Sequence, residues 1–190
     1  MQEFIHIDKT FEKVVLLNQR IEGREFDGCH FKNCDFSGTA FIDCTFSDCE
    51  FTDCNLAMVK LTSSSLKTVH FQLSKVMGIR FDECMDFLFS VSFTDCLLDY
   101  SWFTNKKMPK TNFLNCSMKE VNFSNADLTK SSFDGSNLAG SVFDNTKLIE
   151  VNFSNSVNYQ INPEKNSVKK AVFSIDGIAG LLTQYDIKII

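Results

Sequence analysis

Cys34-Asp35-Phe36-Ser37-Gly38 contains the unit whose reading decides the fold: a small residue, a large apolar one two places later, and polar or turn-forming residues between and after. The unit returns far downstream as Ala126-Asp127-Leu128-Thr129-Lys130. Counting outward in fives from Phe36, large apolar residues fall at Phe11, Leu16, Ile21, Phe26, Phe31, Phe41, Phe46, Phe51, Leu56, Leu61, Leu66, Phe71, Val76 and Phe81. A second series of the same period runs from Leu88 through Phe93, Leu98, Phe103, Met108, Phe113, Met118, Phe123, Leu128, Phe133, Leu138, Phe143 and Leu148 to Phe153. The step from Phe81 to Leu88 is seven, so two residues enter near Asp86. Two places before most of the large residues sits a small one, such as Cys29, Thr39, Ser64, Ser131 or Val151.

A period of five matches neither an α-helix, near 3.6, nor a plain strand, at 2. It suits a short extended segment followed by a bend. Residues two apart on a strand share a face, so the small and large residues of one unit both point inward and the other three form an exposed corner. Residue identity also repeats at 20: Phe31, Phe51 and Phe71 form one set, and Phe93, Phe113, Phe133 and Phe153 another. That longer period predicts four sides to each coil. Self-similarity at a fixed short period means a stacked array rather than a conventional globule.

The unit resembles the pentapeptide-repeat family, whose consensus is A(D/N)Lxx, over about residues 11–157. The resemblance implies an all-β fold, a right-handed quadrilateral β-helix. About seven coils at ~4.8 Å spacing give a rod roughly 35 Å long. Residues 1–10 are expected to form an N-terminal cap segment, and 158–190 a C-terminal capping and dimerisation segment, with the register shift near 82–88. The left-handed β-helix acyltransferases are also solenoids, but their period is six, which argues against them.

The 190 residues carry a net charge of −5, 20 Phe, 8 Cys and 2 Pro. An acidic balance excludes a strongly basic nucleic-acid binder, which needs clustered Lys and Arg. The start, from Met1 to Asp8, lacks the pattern of a signal peptide, and no stretch approaches the roughly 20 apolar residues of a membrane span. A cytoplasmic protein is therefore expected. Cys29, Cys34, Cys44, Cys49, Cys54, Cys96 and Cys116 fall on the small inward position, and Cys84 joins them if the first register continues past Phe81. They read as buried free thiols rather than disulfides or zinc ligands. His6, His30 and His70 read as surface residues, and no metal, cofactor or catalytic motif is found.

Three stretches break the repeat. Glu83-Cys84-Met85-Asp86-Phe87 holds the insertion, with Trp102 exposed nearby. Lys106 occupies a small inward position, where an unpaired charge is costly; either its side chain snorkels outward or the backbone bulges. With Lys107 and Lys110 it marks an irregular basic face, which also carries Lys130 and Lys147. At the C-terminus, Val168–Phe173 reads as a strand. Ser174 is a candidate N-cap of a helix whose apolar face is Ile175, Ile178, Ala179, Leu181, Leu182 and Tyr185. Residues 186–190 read as a short apolar strand, so Ile178, Leu181, Leu182, Tyr185, Ile187 and Ile189 form the candidate dimer interface.

Acidic residues concentrate in the N-terminal half. Glu22, Asp43, Asp82 and Glu83 fall on one side of the coil, and Glu25, Asp27 and Asp48 on the adjacent one. Asp also suits exposed corners for conformational reasons. The layout of repeat plus C-terminal cap resembles the Qnr and MfpA quinolone-resistance members of the family. That resemblance implies a non-enzymatic, homodimeric DNA mimic whose acidic stripe binds DNA gyrase or topoisomerase IV and modulates quinolone susceptibility. It implies no direct contact with nucleic acid or membrane. The alternative is a general protein-interaction scaffold with an unrelated partner.

Overall fold

The structure, a computed structural model, describes residues 3–188. Its strands are two to four residues long and every pairing is parallel. Partners lie 20 residues apart, as in Phe26↔Phe46 and Phe31↔Phe51. Across the insertion they lie 22 apart, as in Phe71↔Phe93, Lys75↔Leu97 and Arg80↔Trp102. The chain is therefore a four-sided β-solenoid of about eight coils, or ~40 Å at ~4.8 Å per coil.

Each face is led inward by one column of large side chains. The first face carries His6, Phe26, Phe46, Leu66, Met108, Leu128 and Leu148; the second starts at Phe11, the third at Leu16 and the fourth at Ile21. On the second face the two sequence columns fuse into one. Phe11, Phe31, Phe51, Phe71, Phe93, Phe113, Phe133, Phe153 and Phe173 stack with neighbouring centroids 4.4–5.3 Å apart and rings within 13° of parallel. Strand spacing imposes this stack, and each aromatic pair adds about 0.5–1.5 kcal/mol beyond its burial. Rings on adjacent faces meet edge-on, as Phe113 does with Phe123 at 5.7 Å and 77°.

The small inward position has a second role. Bends at the corners leave backbone groups inside the tube that the parallel ladder does not pair, and buried backbone groups need partners. Ser136 Oγ donates to Phe113 O at 3.0 Å and accepts from Cys116 N at 2.9 Å. Ser64 repeats the arrangement with Phe41 O and Cys44 N, at 2.9 and 3.0 Å. Cys49 and Cys54 donate through longer thiol contacts, each 3.4 or 3.3 Å, to Phe26 O and Phe31 O. Small residues with a donor are thus selected over alanine at most of these sites.

Corners are turned by one left-handed residue per unit, two places after the large one. Asn33, Asp43, Asp48, Asp53, Asn115 and Asn125 all have φ between 49° and 60°. Asn, Asp and Gly tolerate that region best, which explains much of their frequency here.

Both ends of the solenoid extend beyond the repeat read in the sequence. Ile5–Ile7 already pairs with Glu25–Asp27, and His6, 3% exposed, stacks on Phe26 at 5.0 Å. His6 is therefore a core ring, not a surface residue; burial pushes its pKa below the ordinary value. Downstream, Asn152–Phe153 pairs with Val172–Phe173, so coil stacking passes residue 157. Asn166 takes the small position there, donating to Phe143 O and accepting from Thr146 N. Of the stretch Val168–Phe173, only Val172–Phe173 is strand.

The expected C-terminal helix is instead two 3-10 turns, Ile178–Leu181 and Thr183–Tyr185. Ser174 does accept from Gly177 N at 3.1 Å. The turns lie against Tyr159, and Ile161 N donates to Gly180 O at 2.9 Å. A Cβ on Gly180 would sit 2.2 Å from Tyr159 O, so contact at this point requires glycine. Residues 186–188 form no strand, and Ile189 and Ile190 lie outside the described residues.

Candidate protein-contact surface

The insertion resolves two expectations differently from the sequence. Leu88, taken as an inward residue, is 63% exposed and left-handed, φ 58°, while Phe89 is buried in its place. The cause is a turn over Asp86–Phe89, closed by Phe89 N donating to Asp86 O at 3.2 Å, which absorbs the extra residues on the outside. Met85, Phe87 and Leu88 are left as an exposed apolar knuckle on the first face.

Lys106 neither snorkels nor bulges. It is 2% exposed, and its backbone keeps register, Lys106 N donating to Phe103 O and Lys107 bridging Asp127. Its ammonium donates to Cys84 O and to Asp86 Oδ1, the latter at 2.7 Å, and lies 4.9 Å from the Phe89 ring centre. The insertion thus supplies the acceptors that make a cation tolerable in the wall. The sequence marks Asp86 as the site of the insertion but not as the partner of Lys106; its separation of 20 from Lys106 is the available signal. Lys107 and Lys110 are exposed on the same face.

The acidic residues lie on the two adjacent faces expected, but they are not equivalent. Asp82 binds Arg80 through two contacts at 2.6 and 2.9 Å and its side chain is only 13% exposed. Arg80 also covers Trp102, 4.6 Å from the ring, leaving that indole 40% exposed. Glu22 pairs with Arg20 at 2.9 Å, and Glu83 accepts from Thr62 at 2.9 Å. Glu25, Asp27, Asp43 and Asp48 are exposed and, among the described residues, in no ion pair. Asp43 and Asp48 occupy left-handed corners, φ 51° and 49°.

All eight cysteines are free and buried. Burial pushes the thiols of Cys49, Cys54, Cys84 and Cys116 up to about 12 and that of Cys96 to about 11. His30 pairs with Glu50 at 3.1 Å, and His70 with Ser92. Among the described residues no cluster of three or more His, Cys, Asp or Glu is placed to hold a metal ion. An open groove of about 600 Å³ between Ser124, Asp144, Asn162 and Gln184 has no His or Cys in its lining. No described helix is long and apolar enough to cross a membrane.

At the C-terminal end, Ile178, Tyr185 and Ile187 are half exposed, while Leu181 and Leu182 are partly buried. Tyr185 donates to Glu164 at 2.7 Å. Ile175, 90% exposed, and Val172 widen this apolar end.

Four-sided coils of this period define the class, and the chain belongs to the pentapeptide-repeat family. Its pentapeptide repeat region matches residues 24–103, and its pentapeptide repeats match 92–135 and 129–156. Among solved structures, the chain is similar to a trypsin-treated variant of QnrB1, a plasmid-mediated fluoroquinolone resistance protein. The two share 18% identity over 96% of this chain and all of the other, with a TM-score of 0.62. It is also similar to HetL, involved in heterocyst differentiation regulation in the cyanobacterium Nostoc, at 12% identity, 93% and 90% coverage and a TM-score of 0.51. No curated protein matches the chain. At these identities the likeness is one of fold.

Proposed function

We propose that this protein is a non-enzymatic DNA mimic that binds a type II topoisomerase, DNA gyrase or topoisomerase IV, and so modulates quinolone susceptibility. The observation that carries the reading is the group Glu25, Asp27, Asp43 and Asp48: exposed carboxylates without ion-pair partners among the described residues, on adjacent faces of the rod. A fixed array of negative charge presents to a DNA-binding groove the potential that a duplex presents. Similarity of fold to QnrB1 along nearly the whole chain supports it. The apolar end around Ile178, Tyr185 and Ile187 is where two copies meet end to end in this reading, which covers the open end of the core.

The second reading is a scaffold with another partner. Its support is conformational: Asp43 and Asp48 sit where the backbone is left-handed, which favours Asp whatever the partner. Supercoiling by purified gyrase with and without ciprofloxacin separates the two. Mimicry predicts inhibition or rescue that depends on protein concentration and is lost when Asp43 and Asp48 become lysine with the fold intact. Unchanged supercoiling and unchanged drug sensitivity over a wide concentration range would favour the scaffold.

A further inference from the structure

The first face has an unusual order along the rod. Its outer row is built from Ile5, Glu25, Thr45 and Ser65, then the knuckle, then Lys107, Asp127, Lys147 and Ser167. The knuckle lies alongside Ser65–Lys67, Met85 N donating to Ser64 O and Ser90 N to Leu66 O. It is therefore central, with four levels on either side. The corner row of the same face, marked by left-handed backbone, carries Asp8 and Asp48 before the knuckle, and Lys110, Lys130, Glu150 and Lys170 after it, Glu150 at the level that mirrors Gly28. Acid predominates before the apolar bump and base after it, with Asp127 and Glu150 the exceptions.

We propose that this face binds the same face of a second copy, side by side and antiparallel. The two-fold axis lies in the interface, across the rod at the Asp86–Phe89 turn. Such an axis reverses level but keeps row, which makes the pairing calculable. Asp48, two levels before the knuckle on the corner row, meets the partner copy's residue two levels after it on that row, which is Lys130. Asp8 meets Lys170 in the same way. On the outer row Glu25, three levels before, meets Lys147. These six residues are all exposed, and no two like charges face each other in these pairs. Phe87, 70% exposed, and Leu88, 63%, meet their own counterparts at the axis and lose their contact with water. A patch complementary to itself under a two-fold is what an isologous interface requires.

The existing partners of the lysines do not oppose this. Lys130 lies 3.8 Å from Glu150 and Lys147 3.3 Å from Asp127, both on the surface, and such pairs contribute little. The contact is independent of the topoisomerase reading. It covers Glu25 and Asp48, so the self-associated form hides part of the acidic surface.

Sedimentation velocity of the full chain, with small-angle scattering for shape, tests the proposal. The expected result, in an Ile178→Asp background that removes the end-to-end contact, is a dimer at low ionic strength, no longer than one rod, that dissociates as salt screens the pairs. Asp48→Lys and Lys130→Glu, both at exposed corners, each weaken it by about tenfold or more, because the two-fold counts each change twice. Mixing the two variants restores it, since each heterodimer contact again joins opposite charges. Association unaffected by either change, no recovery on mixing, a particle of doubled length, or loss through Ile178→Asp alone would each overturn it.

Discussion

Asp86→Ala removes the only carboxylate, among the described residues, that pairs with an ammonium 2% exposed, leaving Lys106 with the Cys84 carbonyl as its hydrogen-bond acceptor. Breaking a buried ion pair from one side costs about 3–5 kcal/mol. Here the carboxylate itself is 80% exposed, so water screens part of the interaction and an exposed pair is worth at most ~1 kcal/mol. The two limits place the cost near ~2 kcal/mol, a fall of roughly 4–8 °C in melting temperature for a chain of this size. Lys106→Met keeps the length of the side chain and removes the charge, while the exposed Asp86 returns to water. Its cost is the lost bond to the Cys84 carbonyl, about 1 kcal/mol, and adding Asp86→Ala to it costs little more. Thermal melts followed by circular dichroism compare the variants. The reasoning is refuted if Asp86→Ala melts with the wild type, or if Lys106→Met is the more damaging single change.

Phe113→Ala removes a ring stacked on both sides, at 5.3 and 4.9 Å, and should cost about 3–5 kcal/mol; Phe11→Ala, half-buried at the end of the column, should cost clearly less in denaturant titration. The native thiols should resist a disulfide exchange reagent at pH 8 and all 8 should react once the chain is unfolded. Because burial raises the native thiol pKa from 9.0 to about 12 at Cys49 and Cys116, their contribution to stability is complete below pH 9. It is lost as pH rises toward 12, so melting temperature should fall across that window. Gly180→Ala, whose Cβ would lie 2.2 Å from the Tyr159 carbonyl oxygen, should cost ~1–3 kcal/mol and accelerate amide exchange at Ile161 while the middle coils stay protected.

The coils were legible because their physical cause is periodic. A residue that fills the tube must recur every fifth place, and a stack of identical rings must recur every twentieth. The same rule reached further than the large residues suggested: His6 is five before Phe11 and 20 before Phe26, and its ring fills a slot a phenylalanine would fill. The insertion was harder. Leu88 and Phe89 are adjacent and both large, so spacing alone does not say which turns inward; the turn at Asp86–Phe89 decides it. Lys106 looked anomalous because its acceptors come from a non-repeating segment. At the C-terminus the apolar pattern has helical spacing, but Gly177 and Gly180 interrupt it and each weakens a helix by ~1 kcal/mol. Of the candidate contact residues, position on a face followed from the register, whereas pairing did not. Glu22 and Asp82 are neutralised by Arg20 and Arg80 two residues earlier, on the same strand side.

Competition for the topoisomerase surface tests the central functional claim most directly. Labelled protein would be bound to purified gyrase and titrated with a linear DNA duplex, monitored by fluorescence anisotropy at fixed salt. The account predicts that duplex displaces the protein completely, and that the quadruple change Glu25→Lys, Asp27→Lys, Asp43→Lys, Asp48→Lys abolishes binding while the melting temperature is kept. Simultaneous occupancy by DNA and protein, or binding indifferent to those four carboxylates, would contradict it.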